Sequence, residues 1–404
     1  MISFNQARAI VASLEPLDAE EVDIANAIGR VLSEDVRCLV DAPPKDSSLK
    51  DGFALKAADI SCASPDSPVS LSILGTLYAG QEGDLTIKHG QAAQIMTGAG
   101  IPKGADAVLP QELTTTQKGQ KNKVFCLGST SCGRNILKKG ADLKKGEVLL
   151  AKGTVLTPNL IGLLTGGGIC RVSVIRSPSV AIVATGSELT EDGRVDECDK
   201  IFPSNRATIG AWLKVIGVDS KAMLCKDDPK ALREMLAHCL ERFDVVITSG
   251  GVLDGKKDLV VSTFQELGVD FLFRRVRMGP GKGVCMGTKD RTLVFNLPGG
   301  PPSNFVAFIF IALFAIIRLM GNSDAFPTFI KATLTCSLKG RADWTQLLLS
   351  QTRFKGSGFF TVPVFEESRL KRIANANSII IIPEGKSHVK AGHEVEVALL
   401  PKSF

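Results

Sequence analysis

Four aspartates stand in settings where a carboxylate could hold a hard divalent cation against a phosphate. They are Asp51 in Asp51-Gly52, Asp142 in Gly140-Ala141-Asp142, Asp228 before Pro229, and Asp258 closing Gly255-Lys-Lys-Asp258. Mg²⁺ takes one or two carboxylates plus ligand oxygens, and it polarises a phosphoryl group as a Lewis acid. Each acid also has a plainer use. Asp228 suits an N-cap with proline at the first helical position, and Asp258 could cap the next helix. Asp51-Gly52 is a turn pair, and Asp142 reads as a loop acid. Four glycine-rich turns accompany them: Thr185-Gly186-Ser187-Glu188, Ser249-Gly250-Gly251, Gly279-Pro280-Gly281-Lys282-Gly283 and Leu297-Pro298-Gly299-Gly300. Glycine lets backbone N–H groups close on a ligand, and a helix N-terminus favours an anion. Lys282 adds a point charge for a phosphate or oxyanion. Together they point to an anionic, phosphate-bearing ligand.

These turns need a frame. Between 177 and 320, near-continuous apolar strands alternate with helices. Strands are expected at 179–185, 218–225, 244–249, 271–277 and 292–297. Helices are expected at 205–216, from Pro229 to Arg242, at 259–267, and at 305–317 behind Pro298-Gly-Gly-Pro-Pro-Ser303. That pattern predicts a mostly parallel sheet covered on both faces, with ligands outside the carboxyl ends of its strands. Residues 46–145 read as β, with short apolar runs at 69–74, 92–96, 107–109 and 123–127 between glycine turns. Past Pro327, candidate strands at 329–338, 346–352, 359–365, 379–382 and 394–400 predict a small barrel or sandwich. The opening residues carry Phe4, Ala7, Ile10, Val11 and Leu14 at helical spacing. The expected fold is multidomain α/β. Residues 1–45 with 146–176 form a helical and extended linker domain, and 46–145 an inserted β-rich domain. Residues 177–326 form the central α/β domain, and 327–404 a small C-terminal β-barrel-like domain.

Composition narrows the function. The chain has 404 residues, 44% hydrophobic and 22% charged, and a net charge of +6. That is a globular composition of several domains, neither disordered nor fibrous. Aromatics are 6% with one tyrosine, a poor supply of base-stacking surface. The basic pairs Lys138-Lys139 and Lys144-Lys145, and Arg274-Arg275 with Arg277, are short and suit a small anion better than nucleic acid. Ten cysteines without a C-x-x-C pair and four histidines give no zinc pattern, and read as reduced thiols in the cytoplasm. The apolar run 305–317 is short for a bilayer and reads as a buried helix, so no membrane role is expected.

Several segments are similar to one family. Asp46-Ser-Ser-Leu-Lys-Asp51-Gly52-Phe-Ala54 resembles the D-N-S-A-M-D-G-[YF]-A signature of the molybdopterin molybdenumtransferases, the family of MoeA and the gephyrin E domain. Met96-Thr97-Gly98-Ala99, Gly104-Ala-Asp-Ala-Val108, Ser204-Asn205-Arg206, Asp227-Asp228-Pro229 and Pro280-Gly281-Lys282 follow in the family's order. The resemblance covers nearly the whole chain. It implies a four-domain homodimer with a cleft between the α/β domain of one subunit and the inserted domain of the other. Molybdate is there inserted into adenylylated molybdopterin with Mg²⁺, releasing AMP. By motif match it implies catalytic roles for Asp51, Asp142, Asp228 and Asp258, with Asp228, Asp258 and Glu188 on the metal. Substrate contacts fall to Thr97, Gly186, Glu188, Ser249, Gly250, Gly251, Gly281, Lys282, Pro298, Gly299 and Ser303. Pathway proteins that handle molybdopterin are the implied partners. The sequence departs from the family's motifs at Ser47, Lys50, Leu137, Pro203, Gly279, Gly283, Gly300 and Gln346. Lysine is expected at 279, asparagine at 300, arginine at 137 and 346, and an acid at 203. Two alternatives stay open: a paralogue that binds the pterin or finished cofactor without catalysis, and a dimeric scaffold.

Overall fold

The structure, a computed structural model, describes residues 1–81, 84–117, 120–186, 189–190, 201–226, 228–250, 259–323, 326–356 and 358–400. Helix α1 (Phe4–Ala12) opens the chain behind a capping box in which Ser3 and Gln6 satisfy each other's backbone N–H groups. The fold divides into two compact units. The larger comprises Met1–Glu20, Gly29–Ser33 and Ser173–Phe404, and the smaller comprises Glu21–Ile28 and Glu34–Val172.

The smaller unit is built on strands β1 (Gly52–Leu55), β2 (Val69–Leu77), β3 (Gln91–Ile95), β4 (Ala107–Pro110), β5 (Thr114–Thr115) and β6 (Lys123–Cys126). They form one sheet in the order β4-β1-β3-β2-β6-β5. Alternate residues serve opposite faces: Phe53 and Leu55 join one apolar cluster, Ala54 another. Gly52 begins β1 because nothing larger fits, since a Cβ there would lie 2.1 Å from the Leu109 carbonyl oxygen. Helix α2 (Pro158–Gly166) follows, with proline in its first turn.

The larger unit holds the expected α/β sheet. Strands β7 (Val180–Thr185), β8 (Ser220–Cys225), β9 (Val245–Ser249), β10 (Asp270–Phe273), β11 (Val276–Gly279), β12 (Cys285–Lys289) and β13 (Thr292–Leu297) lie in this stretch. The sheet order is β8-β7-β9-β13-β12-β10. Its first three pairings are parallel and its last two antiparallel. Helix α3 (Ser204–Val215) and the long helix α6 (Pro301–Leu319) cover one face, against Ile182, Ile247 and Phe295. Helices α4 (Pro229–Arg242) and α5 (Leu259–Glu266) cover the other, against Val183, Val246 and Val294. Period-two side chains feeding two helical layers explain why β7, β9 and β13 read as unbroken apolar runs.

Two expectations change here. The stretch read as one strand over 271–277 is two strands in different sheets. β10 is the antiparallel edge of the α/β sheet, whereas β11 leaves it and pairs in parallel with Ile2–Ser3 on one side. Strand β12, absent from the sequence reading, fills the gap between β13 and β10. The helix read over 305–317 runs from Pro301 to Leu319, long and apolar enough by composition to cross a bilayer. It is instead the spine of the core: Val306 to Leu313 are each 0% exposed. A π-helical turn over Phe308–Ala312 keeps these large side chains packed through its middle.

The C-terminal strands β14 (Phe329–Leu334), β15 (Thr345–Lys355), β16 (Gly358–Pro363), β17 (Ser378–Ile382) and β18 (Glu394–Leu399) close in the order β15-β16-β14-β18-β17-β15, a small barrel. Helix α7 (Arg369–Ala374) lies between β16 and β17. β11 attaches to β15, with Gly279 opposite Gln346. The Arg8 guanidinium of α1 is packed among the rings of Phe4, Phe310, Phe314 and Phe329, 4.3 Å from the Phe314 centroid. Its Nη2 donates to the Phe326 carbonyl. Burial lowers its pKa to about 10, against the opposing pull of Glu396.

Candidate functional site

The carboxyl ends of β7, β9 and β13 open on a cavity of about 760 Å³. Its polar floor is Ser249 and Asn205, with the buried Asn304 bracing Ser249. Ser249 ends β9, Asn205 opens α3, and Asn304 stands in the first turn of α6. The Asn304 amide donates to Ser249 Oγ at 3.0 Å and to the Pro298 carbonyl at 2.9 Å. The Asn205 amide donates to the same Oγ at 3.1 Å and to the Gly299 carbonyl at 2.8 Å. Both lone pairs of the Ser249 hydroxyl are thereby used, so its proton is left to donate to a ligand.

Two helices aim their positive ends at this floor. α3 begins behind Pro203 and α6 behind Gly300, and neither has a side-chain cap. Such termini favour an anion. Gly250 is glycine for a stated reason: its φ is +112°, and a Cβ would lie 2.9 Å from the Thr185 carbonyl oxygen. The wall is apolar on one side, with Leu189, Ile201, Phe202 and Leu370, while Arg206 and Arg369 supply charge. Residues 368–370 come from the barrel segment at the start of α7.

Of the substrate set drawn from sequence, Ser249, Gly250 and Gly299 line the cavity. Gly186 follows the lining residue Thr185, and Pro298 supplies the carbonyl that Asn304 grips. Ser303 is not in the cavity lining, and its carbonyl oxygen lies 3.5 Å from where a Cβ at Gly281 would be. Gly281 and Lys282 follow β11, which lies outside the α/β sheet, but the turn leads into β12, whose Cys285 pairs with Asn296 beside the carboxyl end of β13, so it stands at the edge where the sequence reading put it. The Lys282 ammonium lies 5.5 Å from the Trp344 ring centroid, with the Arg341 guanidinium 5.0 Å from the same ring. The nearby Gln346 Nε2 is buried without a hydrogen-bond partner. Asp228 is the N-cap of α4, accepting from the Lys230 N–H at 3.0 Å. Glu188, Gly251 and Asp258 lie outside the described residues. Among the described residues no three His, Cys, Asp or Glu side chains gather as a metal site.

In the smaller unit, Asp51 and Thr97 meet. One Asp51 oxygen accepts from the Thr97 N–H at 2.7 Å and from its hydroxyl at 2.8 Å. The backbone bond foremost, then the hydroxyl, holds this carboxyl below the usual range. Asp142 is an exposed loop acid whose N–H bonds to the Ala42 carbonyl. Two cations expected for a small anion are engaged. Lys138 pairs with Asp46 at 2.8 Å and Lys139 with Asp41 at 3.2 Å. Arg277 is likewise 3.4 Å from Glu384.

The cavity residues that sequence reading left out of the site were Asn205, Arg206, Phe202 and the 368–370 segment, and it also left out the buried Asn304 that braces Ser249. Asn205 and Arg206 had a signal in the Ser204-Asn205-Arg206 motif. Asn304 and 368–370 had none, since only packing brings them to β9.

A parallel sheet with an anion-favouring cavity at its carboxyl edge, joined to a small barrel and a β-rich unit, defines a multidomain α/β ligand-binding protein. Comparison with known proteins narrows this. Residues 2–168 match the MoeA N-terminal region (domain I and II), 181–317 a probable molybdopterin binding domain, and 331–400 the MoeA C-terminal region (domain IV). A molybdopterin molybdenumtransferase of Staphylococcus aureus is 32% identical over 394 residues, 96% of this chain and 93% of the relative. One from Staphylococcus epidermidis is 32% identical over 382 residues, covering 94% and 90%. The crystal structure of a molybdopterin biosynthesis MoeA protein from Pyrococcus horikoshii superposes with a TM-score of 0.83 at 29% identity, covering 99% of both chains. The chain belongs to the molybdopterin molybdenumtransferase (MoeA) family.

Proposed function

We propose that this chain is a transferase of molybdenum cofactor biosynthesis, inserting molybdate into adenylylated molybdopterin with Mg²⁺ and releasing AMP. The observation that carries the reading is the Ser249 floor. One hydroxyl held by two amides, beneath two uncapped helix ends, suits the phosphate end of a pterin. Binding there fixes the ligand before chemistry, and the low-dielectric wall strengthens each polar contact. The proposed metal set, Asp228 with Glu188 and Asp258, is all carboxylate, the donor type a hard cation takes. Asp228 commits one oxygen to its cap and keeps the other. Mg²⁺ bound there would neutralise charge on the phosphoanhydride as AMP departs. Asp51, held anionic by Thr97, and Asp142 are proposed to act in the same reaction.

The wider organisation proposed is four domains, at 1–45 with 146–176, 46–145, 177–326 and 327–404, in a cytoplasmic homodimer that works with molybdopterin-handling proteins. A second reading, pterin binding without insertion, is favoured by one observation. Gly279 and Gln346 are register partners where the resemblance expects lysine and arginine. Incubation with adenylylated molybdopterin, Mg²⁺ and molybdate decides between them. Molybdate-dependent AMP release with metal-loaded pterin supports the enzyme. Tight binding without AMP selects the second reading, and no binding overturns both.

A further inference from the structure

Three exposed apolar side chains converge on the cavity mouth: Ile201 at 58% exposure, Phe202 at 51% and Leu370 at 51%. Scattered apolar exposure needs no explanation, but convergence on one polar-floored cavity does. The backbone around Phe202 is held on both sides. The Thr190 N–H donates to the Ile201 carbonyl at 3.2 Å, and the Ser204 N–H to the Phe202 carbonyl at 2.7 Å. Pro203 follows and fixes φ at the start of α3. The phenyl ring is thus carried on a fixed segment yet left half uncovered. A cavity with anion-favouring helix ends at its floor and an aromatic ring at its lip matches an amphipathic ligand. Such a ligand has a planar heteroaromatic ring at one end and a phosphate at the other.

We propose that Phe202 is the ring platform of this cavity, stacking on the planar nitrogen heterocycle of the ligand and setting affinity for it. The inference rests on the proposed function, since it assumes that the cavity takes a pterin or its adenylate. The residue after it adds to the argument. Pro203 has no side-chain hydrogen-bonding group, so the polar contact at this end of α3 falls to Asn205. Leu370 and Ile201 are the other exposed apolar side chains of the same lining.

The test uses the full chain and two ring probes, pterin-6-carboxylate and AMP, which separate the two sources of a planar heterocycle. Affinity is measured by calorimetry. The upfield ring-current shift of the pterin C7 proton, or of the adenine C2 and C8 protons, is read by NMR. For whichever probe binds, Phe202→Ala should weaken binding roughly 5- to 20-fold, the scale of one lost aromatic stack. It should also abolish the upfield shift. Phe202→Tyr should stay within about twofold and keep it. Because the ring is half exposed, neither substitution disturbs the core, and unchanged circular dichroism verifies this. Wild-type binding that Phe202→Ala leaves intact, or a bound probe with no upfield shift, overturns the platform alone. If the wild type binds neither probe, the functional reading itself falls and the platform with it.

Discussion

Replacing Asp244 by asparagine should destabilise the larger unit in a way that fades with acid. Asp244 opens the segment leading into β9. Its carboxylate accepts from Arg176 at 2.8 and 2.6 Å, and from the Ser179 N–H and hydroxyl at 2.8 and 2.7 Å. Burial alone would raise this carboxyl, but the Arg176 and Ser179 hydrogen bonds more than offset it and hold the pKa at about 2, against an ordinary 3.8. Displacement by that much corresponds to about 2.4 kcal/mol of stability at neutral pH. The side chain is 16% exposed, and solvent screening brings the expectation to about 1–2 kcal/mol. The sign follows from the direction. A depressed carboxyl stabilises above its unfolded pKa, so the contribution is full above about pH 5. About half of it is lost by pH 3, and the rest as pH falls through about 2. Urea unfolding followed by tryptophan emission reads this directly, because Trp212 and Trp344, the two tryptophans of the chain, both lie in the larger unit. Wild type and Asp244→Asn should differ by about 1–2 kcal/mol at pH 7 and by roughly half that at pH 3. A difference that stays constant between those pH values would refute the reasoning.

Three further outcomes are expected. Ser249→Ala removes the acceptor shared by Asn205 and Asn304. It should lower urea stability by about 1–3 kcal/mol, mostly through the buried Asn304, and weaken AMP or pterin binding in the same calorimetric assay. Gly250→Ala puts a methyl against the Thr185 carbonyl in a left-handed backbone. It should cost about 1–3 kcal/mol, visible as an earlier urea midpoint, whereas Gly300→Ala, with open space at its Cβ, should not. Asp51→Ala and Asp228→Ala should each abolish molybdate-dependent AMP release while circular dichroism stays unchanged. Full cofactor yield from both variants would remove the acids from the reaction.

The sheet core was legible because β7, β9 and β13 announce themselves by unbroken apolar runs, and α4 by its leucines on one face. The glycine turns after β7, β9 and β13 located the cavity for the same reason, since a parallel sheet leaves its ligand edge at strand ends. What the sequence hid is non-local. Val276 to Gly279 looks like the end of β10, yet its pairing is chosen by Ile2–Ser3 and by Thr345, far away in the chain. That pairing takes β11 out of the α/β sheet, and the Lys282 turn keeps its place at the carboxyl edge through β12, which it opens. Asn304 sits in an apolar helix with no motif of its own and comes to brace Ser249 only once α6 packs across β13. Segment 368–370 reads as a loop of the barrel until packing brings it to the lip. Lys138 and Lys139 looked free because their partners Asp46 and Asp41 are about a hundred residues upstream.

The Arg8 cage has a consequence for how the chain is made. Its guanidinium is 318 residues from the carbonyl it grips, and the Phe329 ring beside it opens the first strand of the small barrel. At 5–20 residues per second, α1 emerges about 15–60 s before those partners exist. The smaller unit, encoded almost continuously between them, can complete its own core during that interval. Until those partners are made, the apolar face of α1 (Phe4, Ala7, Val11) has nothing to pack on, and the larger unit closes over it only after residue 329 has been synthesised.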